Sequence, residues 1–353
     1  MEMLPGYVAW LPDRRVILHR DVSAWAVERR RAFGDTPAHR AFWTLIDRLA
    51  KVFWRASRGG VKLPFQGPAD VIRAVRTIGP WDLPMARHLN RTMADALRWA
   101  GLMDDQALTG MLRMVVEDTV HTTLENAPLI NAALGVTMRG AGLGRARGGM
   151  RGLWRRLTAR YRELGGELRV GRSVERVEGR EGSFQIQTRR DRLTAARVVM
   201  AVPPSAAAAI GPPELKEALT PYLRRSADAM GGAMVVFLGV PEREIEGQTF
   251  THHQLLHDYD QPLGDGNNMF ISVSSPGDVE SAPAGFRAVM ISTHCELSPW
   301  EGLSPEDYTN RKREAGDHLV TLARRVFPDL GRSAVIYEVG TPRTYKRFTG
   351  RPR

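Results

Sequence analysis

The chain has 353 residues, 43% of them hydrophobic and 25% charged, with a formal net charge of +11 carried almost entirely by arginine. That is enough apolar material for two domains with real cores, and the single cysteine, Cys295, excludes an internal disulfide and fits a reducing, cytoplasmic compartment. The basic excess would suit nucleic acid, but the sequence has no zinc-ligand spacing, no recognition-helix pattern and no RNP-like aromatic motif, so no nucleic-acid partner is expected.

In chain order, Tyr7–Leu11, a turn at Pro12-Asp13-Arg14 and Val16–Leu18 predict a hairpin. Helices follow. Phe42, Ile46, Leu49 and Phe53 recur at helical spacing, as do Met93, Leu97 and Ala100, and a further helix is expected over Asp105–Glu117. The helix from Arg40 to Arg58 sets Phe42, Trp43, Phe53 and Trp54 among Arg48, Lys51, Arg55 and Arg58. Aromatics that enter a bilayer beneath its headgroups, with basic side chains on anionic lipid, would make this an interfacial helix; packing against neighbouring helices is the commoner fate of such a stripe. The longest apolar run, Gly232–Val240, is far too short to span a bilayer, and Met1–Val8 lacks the basic and apolar regions of a secretory signal. Peripheral contact with the inner face of a membrane is therefore the mode expected.

The middle of the chain is the most informative. Met150, Leu153, Leu157, Tyr161 and Leu164 form an apolar stripe on a helix whose other face is arginine-rich, and Gly165-Gly166 stops it. Short strands are expected at Glu167–Val170, Val174–Val177 and Phe184–Thr188, then a continuous apolar strand, Ala196–Val202, buried on both faces and ended by Pro203-Pro204. This order of elements reads as part of an α/β dinucleotide-binding domain with an inserted hairpin. The remainder alternates like an antiparallel sheet, with strands over 233–240, 249–256, 269–274 and 288–294, a helix over Pro305–Val326 begun by Ser304 and Asp307, and a last strand at Val335–Val339.

Several stretches, in order, resemble the phytoene desaturase-like family of flavin oxidoreductases, within the flavin-containing amine oxidase superfamily. They are Gly148-Gly149-Met150-Arg151-Gly152-Leu153, Leu164-Gly165-Gly166-Glu167, Val174-Glu175-Arg176-Val177, Pro262–Phe270, Ser272–Asp278 with Ala282–Gly285, and the tail Thr341–Tyr345 with Arg347–Arg351. The likeness is nearest to the branch of carotenoid desaturases and isomerases. It implies an FAD cofactor, a long apolar polyene substrate and hydride removal to the flavin, with redox-neutral isomerisation as the alternative. It also implies that Val174 lies beside the adenine end of FAD and that Ala201, Val202 and Pro203 pass close to the dinucleotide. Arg347 and Arg351 are candidates to stabilise a reduced, anionic flavin.

The expected fold class is α/β plus α+β. A helical part of the substrate domain with its hairpin covers 1–147, a partial Rossmann-like FAD-binding domain 148–212, and a mixed-sheet substrate domain 213–353. No G-x-G-x-x-G occurs in the sequence; Gly140-Ala141-Gly142-Leu143-Gly144 comes nearest, but Arg145 stands where the last glycine should. A piece of a longer enzyme is thus expected, completed by a partner chain that carries the missing segment, or else a chain without catalytic function.

Two further constellations bring together residues capable of chemistry. On a strand, His253 and His257 share a face about 13 Å apart at ~3.3 Å per residue, too far for one ion, so no metal is expected from His252, His253, His257 and Asp258. Cys295 and His294 are adjacent and point to opposite faces, so a buried structural thiol is expected rather than a nucleophile with its base. Nothing in the spacing singles out Asp258 or Asp260.

Overall fold

The structure, a computed structural model, describes residues 2–61, 65–141, 143–226 and 231–350. In chain order its elements begin β1 (Glu2–Met3), β2 (Gly6–Trp10), β3 (Arg15–His19), α1 (Val22–Phe33), α2 (Pro37–Arg58), α3 (Pro68–Ile78) and a 3-10 segment, Pro80–His88. Then come α4 (Met93–Ala100), α5 (Gln106–Val120), α6 (Leu129–Ala141), β4 (Gly144–Arg145), α7 (Gly149–Glu163), β5 (Val174–Arg180), β6 (Ser183–Thr188), β7 (Arg192–Ala195), α8 (Pro204–Ile210) and α9 (Pro213–Ser226). The chain ends with β8 (Gly232–Pro241), β9 (His252–Leu256), β10 (Asn268–Val273), β11 (Phe286–Cys295), α10 (Pro305–Ala323), β12 (Ile336–Gly340) and α11 (Pro342–Thr349). Two compact units result. The first comprises Met1–Arg145, Gln248–Leu263 and Asn267–Phe270; the second comprises Ala146–Gly247, Gly264–Gly266 and Ile271–Arg353.

In the first unit the side chains at the helix starts explain the boundaries. The carboxylate of Asp21 accepts from Ala24 N–H at α1, Thr36 Oγ1 accepts from His39 N–H at α2, and Asp105 accepts from Leu108 N–H at α5. Thr92 and Asp95 form a reciprocal capping box at α4. The predicted hairpin is β2 with β3, joined through Leu11 N–H to Arg14 C=O at 2.8 Å, and β2 also pairs in parallel with β9. Helical spacing holds: Phe42, Ile46 and Leu49 of α2, Met93 and Leu97 of α4, and Leu108, Met111, Leu112 and Val115 of α5 meet in one core with Leu11, Val16 and Leu18 of the hairpin.

The same core takes in part of the aromatic stripe of α2. Phe42 is fully buried and Trp43 is nearly so, its ring set edge-on to Trp25 at 5.6 Å, while Phe53 and Trp54 are half-buried. Helix packing takes the N-terminal half of the stripe, Phe42 and Trp43. Arg48 and Arg55 are tied to Asp82 at 3.0 and 2.9 Å, so two of the cations expected to meet lipid are spent inside the unit.

In the second unit β8 lies between β11 and β12, antiparallel to both, and α10 packs over the three strands. Strand β11 alternates strictly between half-buried and buried residues, as period 2 requires. Ser304 caps α10 by accepting from Asp307 N–H. A separate antiparallel meander runs β5-β6-β7.

Two expected strands are not formed. Among the described residues, neither Glu167–Val170 nor Ala196–Val202 pairs in a sheet, and the third meander strand is β7 instead. Val199, expected inside, is 93% exposed, and Val170 is exposed too. A strand buried on both faces needs a partner at each edge to satisfy its peptide groups, and no described strand flanks either segment. The apolar stripe of α7 is likewise uncovered: Met150, Leu153, Trp154, Leu157, Tyr161 and Leu164 are all exposed.

Candidate functional site

The residues expected at the dinucleotide lie together in the second unit. Val174 opens β5, Ala201 and Val202 are exposed in the extended segment after β7, and Pro203 is the N-cap of α8, which packs against β5. In the order β5-β6-β7 the strand β5 has a neighbour on one side only. Its outer edge leaves backbone N–H and C=O groups outside the ladder, the kind of group that can pair with a purine edge. The register slips between Val174 and Arg176, which sets the first residue of the strand apart from the regular pairing. These are the positions expected at the adenine end of FAD. The pyrophosphate site of a dinucleotide fold is built on a strand, a G-x-G-x-x-G turn and a helix in succession, and no G-x-G-x-x-G occurs in the sequence.

The start of α7 is held by a loop that sequence likeness singled out without giving its role. Gly148 N–H donates to both carboxylate oxygens of Asp278, at 3.2 and 3.0 Å, and Ser281 Oγ donates to the same carboxylate at 2.7 Å. Burial acts to raise the Asp278 pKa, but the bonds from Ser281 and from the Gly148 N–H outweigh it and hold the carboxyl below its ordinary value. Gly148 and Gly149 have φ of 75° and 60°, the left-handed region where a Cβ would strain the chain, which accounts for the Gly-Gly pair. Arg155 and Arg156 of α7 both reach Glu280, at 2.6 and 3.3 Å.

The first unit carries a polar cluster that sequence reasoning missed. Near the C-terminal end of α5, Glu117 accepts from Asn268 Nδ2 at 2.6 Å, and Asp118 accepts from Gln254 Nε2. Gln254 Nε2 also donates to Asn268 Oδ1 at 3.2 Å, and both amide residues are buried. The readable signal was polar residues at core positions: Glu117-Asp118 closing an amphipathic helix, and Gln254 and Asn268 inside apolar strands.

Beside this cluster lie the histidines. His253 is fully buried; its Nδ1 accepts from Trp10 Nε1–H at 3.2 Å, so its Nε2–H donates to Phe250 C=O at 2.9 Å. Arg145 can only donate, so His252 Nε2 accepts from it at 3.4 Å and His252 Nδ1–H faces Thr251 Oγ1 at 2.9 Å. Burial lowers both pKa values to about 4, with Arg145 adding to the effect at His252, so both rings are neutral. Two neutral imidazoles with hydrogen-bonded nitrogens are structural members of the sheet.

Of the remaining candidates, Cys295 is the buried thiol expected; burial pushes its pKa up to about 12, with the Asp265 charge adding to this, far from a reactive thiolate. Asp258 is exposed and accepts from Asp260 N–H within its own turn. Arg347 lies on α11 with its guanidinium 5.7 Å from the Phe348 ring, and Arg351 falls outside the described residues. No helix among the described residues is long and apolar enough to cross a membrane.

Comparison with known proteins agrees with this architecture. Over 121 residues the chain is 34% identical to prolycopene isomerase 2, chloroplastic, of an Oncidium hybrid cultivar, a stretch that is 33% of this chain and 20% of that protein. Over 123 residues it is 32% identical to the chloroplastic prolycopene isomerase of Arabidopsis thaliana, again 33% of this chain and 20% of the relative. Among solved structures, a putrescine oxidase variant from a redesign of cofactor binding superposes with a TM-score of 0.55 at 14% identity, covering 100% of this chain and 74% of that one. Cyclohexylamine oxidase from Brevibacterium oxydans gives a TM-score of 0.50 at 16% identity, covering 96% and 67%. These low identities show a shared fold, a mixed α/β architecture with a mixed sheet. The model of the family described as flavin containing amine oxidoreductase matches residues 83–324, more than half of the chain. The chain belongs to the flavin-containing amine oxidoreductase family.

Proposed function

We propose that this chain forms the substrate-binding part and the adenine-side part of an FAD-dependent enzyme that acts on a long, carotenoid-like polyene. The observation that carries the substrate class is the 34% identity to prolycopene isomerases over a third of the chain. Bound FAD would supply a two-electron acceptor for a hydride. The residues of this chain would hold its adenine end, through the free edge of β5 at Val174 and the Ala201-Val202-Pro203 turn. The pyrophosphate cradle is assigned to a further segment with a strand, glycine-rich turn and helix, on the same polypeptide or on a partner. Its docking surface would be the bare apolar stripe of α7 and the unpaired segment through Val199, which together offer a helix face and a strand edge.

Dehydrogenation and redox-neutral isomerisation are both consistent with this arrangement; the prolycopene isomerases among the relatives support the second as much as the family's redox cofactor supports the first. The two differ in mass balance: dehydrogenation removes two hydrogens from the polyene, whereas isomerisation leaves its formula unchanged. The test is to purify the chain, add FAD, record the visible spectrum and incubate the flavin-bearing protein with a cis-polyene in vesicles, with product mass and geometry read by chromatography. Equal mass with altered geometry supports isomerisation, and loss of two mass units supports dehydrogenation. A protein that retains flavin and leaves every polyene untouched would sink the substrate class.

A further inference from the structure

In the first unit His39 is buried at the start of α2 and is bonded through both ring nitrogens. Nε2 lies 3.1 Å from Oδ2 of Asp105, and Nδ1 lies 2.7 Å from Oγ1 of Thr36. A carboxylate only accepts, so Nε2 carries the proton; Nδ1 is then bare and accepts the Thr36 O–H. The outer end of this chain of bonds is open, because Thr36 is exposed. Gly34, the C-cap of α1, also puts no side chain over the ring: a Cβ there would stand 3.7 Å from His39 Cε1 and 3.9 Å from Nδ1.

Helix capping explains half of the arrangement. Thr36 Oγ1 caps α2 by accepting from His39 N–H at 3.3 Å, and Asp105 Oδ1 caps α5 by accepting from Leu108 N–H at 3.0 Å. Both caps use acceptor capacity alone. Neither needs the hydroxyl hydrogen of Thr36 or the second oxygen of Asp105, and those are the two groups the imidazole takes. Two helix starts thus lock a hydroxyl and a carboxylate on opposite sides of one ring. Among the described residues, His39 is the only ion-pair partner of Asp105, so its charge is available to a protonated imidazole. A hydroxyl bonded to a base that a third group orients is the arrangement that turns an alcohol into a nucleophile.

We propose that Thr36, His39 and Asp105 form an acyl-transfer site for small activated esters, with Thr36 as nucleophile, His39 as general base and Asp105 as the residue that positions the base. Thr36 Oγ1 attacks the ester carbonyl carbon, its proton passes to His39 Nδ1, and the carbonyl π pair moves onto oxygen. That pair returns as the ester C–O bond breaks, and the leaving oxygen takes the proton from Nδ1. Water attacks the acyl-threonine with the same base, which releases the acid and restores the hydroxyl. The Ala38 N–H, in the first turn of α2, has no acceptor among the described residues and lies at the positive end of the helix dipole, where it can donate to the carbonyl oxygen. The site uses none of the residues assigned to the flavin and stands whether or not that reading does.

The test is p-nitrophenyl acetate with the purified full chain, with p-nitrophenolate read by absorbance and acetylated peptides located by mass mapping, which separates Thr36 from lysines and the N-terminus. The parent carries an acetyl group on Thr36. Thr36→Ser keeps hydroxyl and cap and keeps the reaction; Thr36→Asn keeps the cap, loses the hydroxyl and loses the label. His39→Gln lowers the rate on the order of 100-fold. Asp105→Asn keeps the α5 cap, but its amide can donate to Nε2 and so move the ring proton to Nδ1, where the hydroxyl needs a lone pair. It lowers the maximal rate by about tenfold or more and leaves the half-saturating ester concentration unchanged, a split that a loosened helix start does not give. Circular dichroism verifies that each variant is folded. A parent without acetyl on Thr36 overturns the proposal. So does Thr36→Asn that releases p-nitrophenolate as fast as the parent, or Asp105→Asn that acylates at the parental rate.

Discussion

Trp10 donates its indole N–H to Nδ1 of His253 at 3.2 Å, across the parallel pairing of β2 with β9. The bond fixes which ring nitrogen is bare and ties the N-terminal hairpin to a strand that follows it by more than 200 residues. It works only while the imidazole is neutral, because a protonated ring has no lone pair to offer the indole.

Acid should therefore loosen the first unit. The His253 pKa is lowered to about 4 by burial, against an ordinary 6.5. The unfolded chain takes up a proton as pH falls through 6.5, and the folded chain does so only near 4. Stability is thus complete above about pH 6.5 and is lost progressively between 6.5 and 4. One fully buried imidazole contributes on the order of 3 kcal/mol across that window. Urea midpoints at pH 7.5 and pH 5 would show the fall, and His253→Gln, which cannot titrate, should make it shallower, with the share of His252 remaining. Parallel pH profiles for parent and variant would contradict the assignment.

Asn268 joins the α5 carboxylate Glu117 to the Gln254 amide. Replacing it with alanine removes at least these two hydrogen bonds at a buried site, one of them to a carboxylate. The expected loss is about 1–3 kcal/mol, read as a lower urea midpoint with an unchanged slope. Asn268→Asp should cost more, since it sets a carboxylate against Glu117 in place of a donor.

Helix propensity and packing oppose each other at Gly110. Alanine in mid-helix gains up to about 1 kcal/mol by propensity. Here its Cβ would sit 2.7 Å from Cδ1 of Tyr259 and 3.1 Å from Leu256. Tyr259 is not free to yield: its hydroxyl donates to Asp13 at 2.6 Å, and its carbonyl accepts from Arg113 at 2.9 Å. Overpacking costs about 1–3 kcal/mol and should win, so Gly110→Ala lowers the melting temperature. In a Tyr259→Ala background the same change should be neutral or stabilising.

The legible parts were those where one short-range rule decides. Phe42, Ile46 and Leu49 announced a buried face through their spacing, and Ser304 announced a helix start through its cap. Period 2 was equally plain in β11. The errors came where fate depends on what lies alongside. Ala196–Val202 has the composition of a doubly buried strand, but composition cannot supply the flanking strands, and without them Val199 is exposed. The partners of the α2 arginines, Asp82 and the carbonyls of Ile78 and Trp81, were not legible either, because they lie 23 to 34 positions further on. The polar cluster of Glu117, Asp118, Gln254 and Asn268 was hidden for the same reason: its members are far apart in sequence and meet only in the fold.

The Asp278 clamp gives the last prediction. Its carboxylate takes both the Gly148 N–H and the Ser281 hydroxyl at the start of α7. Gly148 is left-handed and has no side chain to cap the helix, so the external carboxylate does the work of an N-cap and adds a negative charge at the positive end of the helix dipole. Asp278→Ala should destabilise the α7 start by about 1 kcal/mol and speed hydrogen exchange at the first amides of α7. Asp278→Asn keeps an acceptor and loses the charge, so it should lie between the two. Because the carboxyl titrates below its ordinary range, the clamp should persist in mild acid, and the exchange rates of parent and Asp278→Ala should still differ at pH 5. Equal exchange at the α7 start in all three proteins would show that the glycine pair alone fixes the helix, and the carboxylate would then be a bystander.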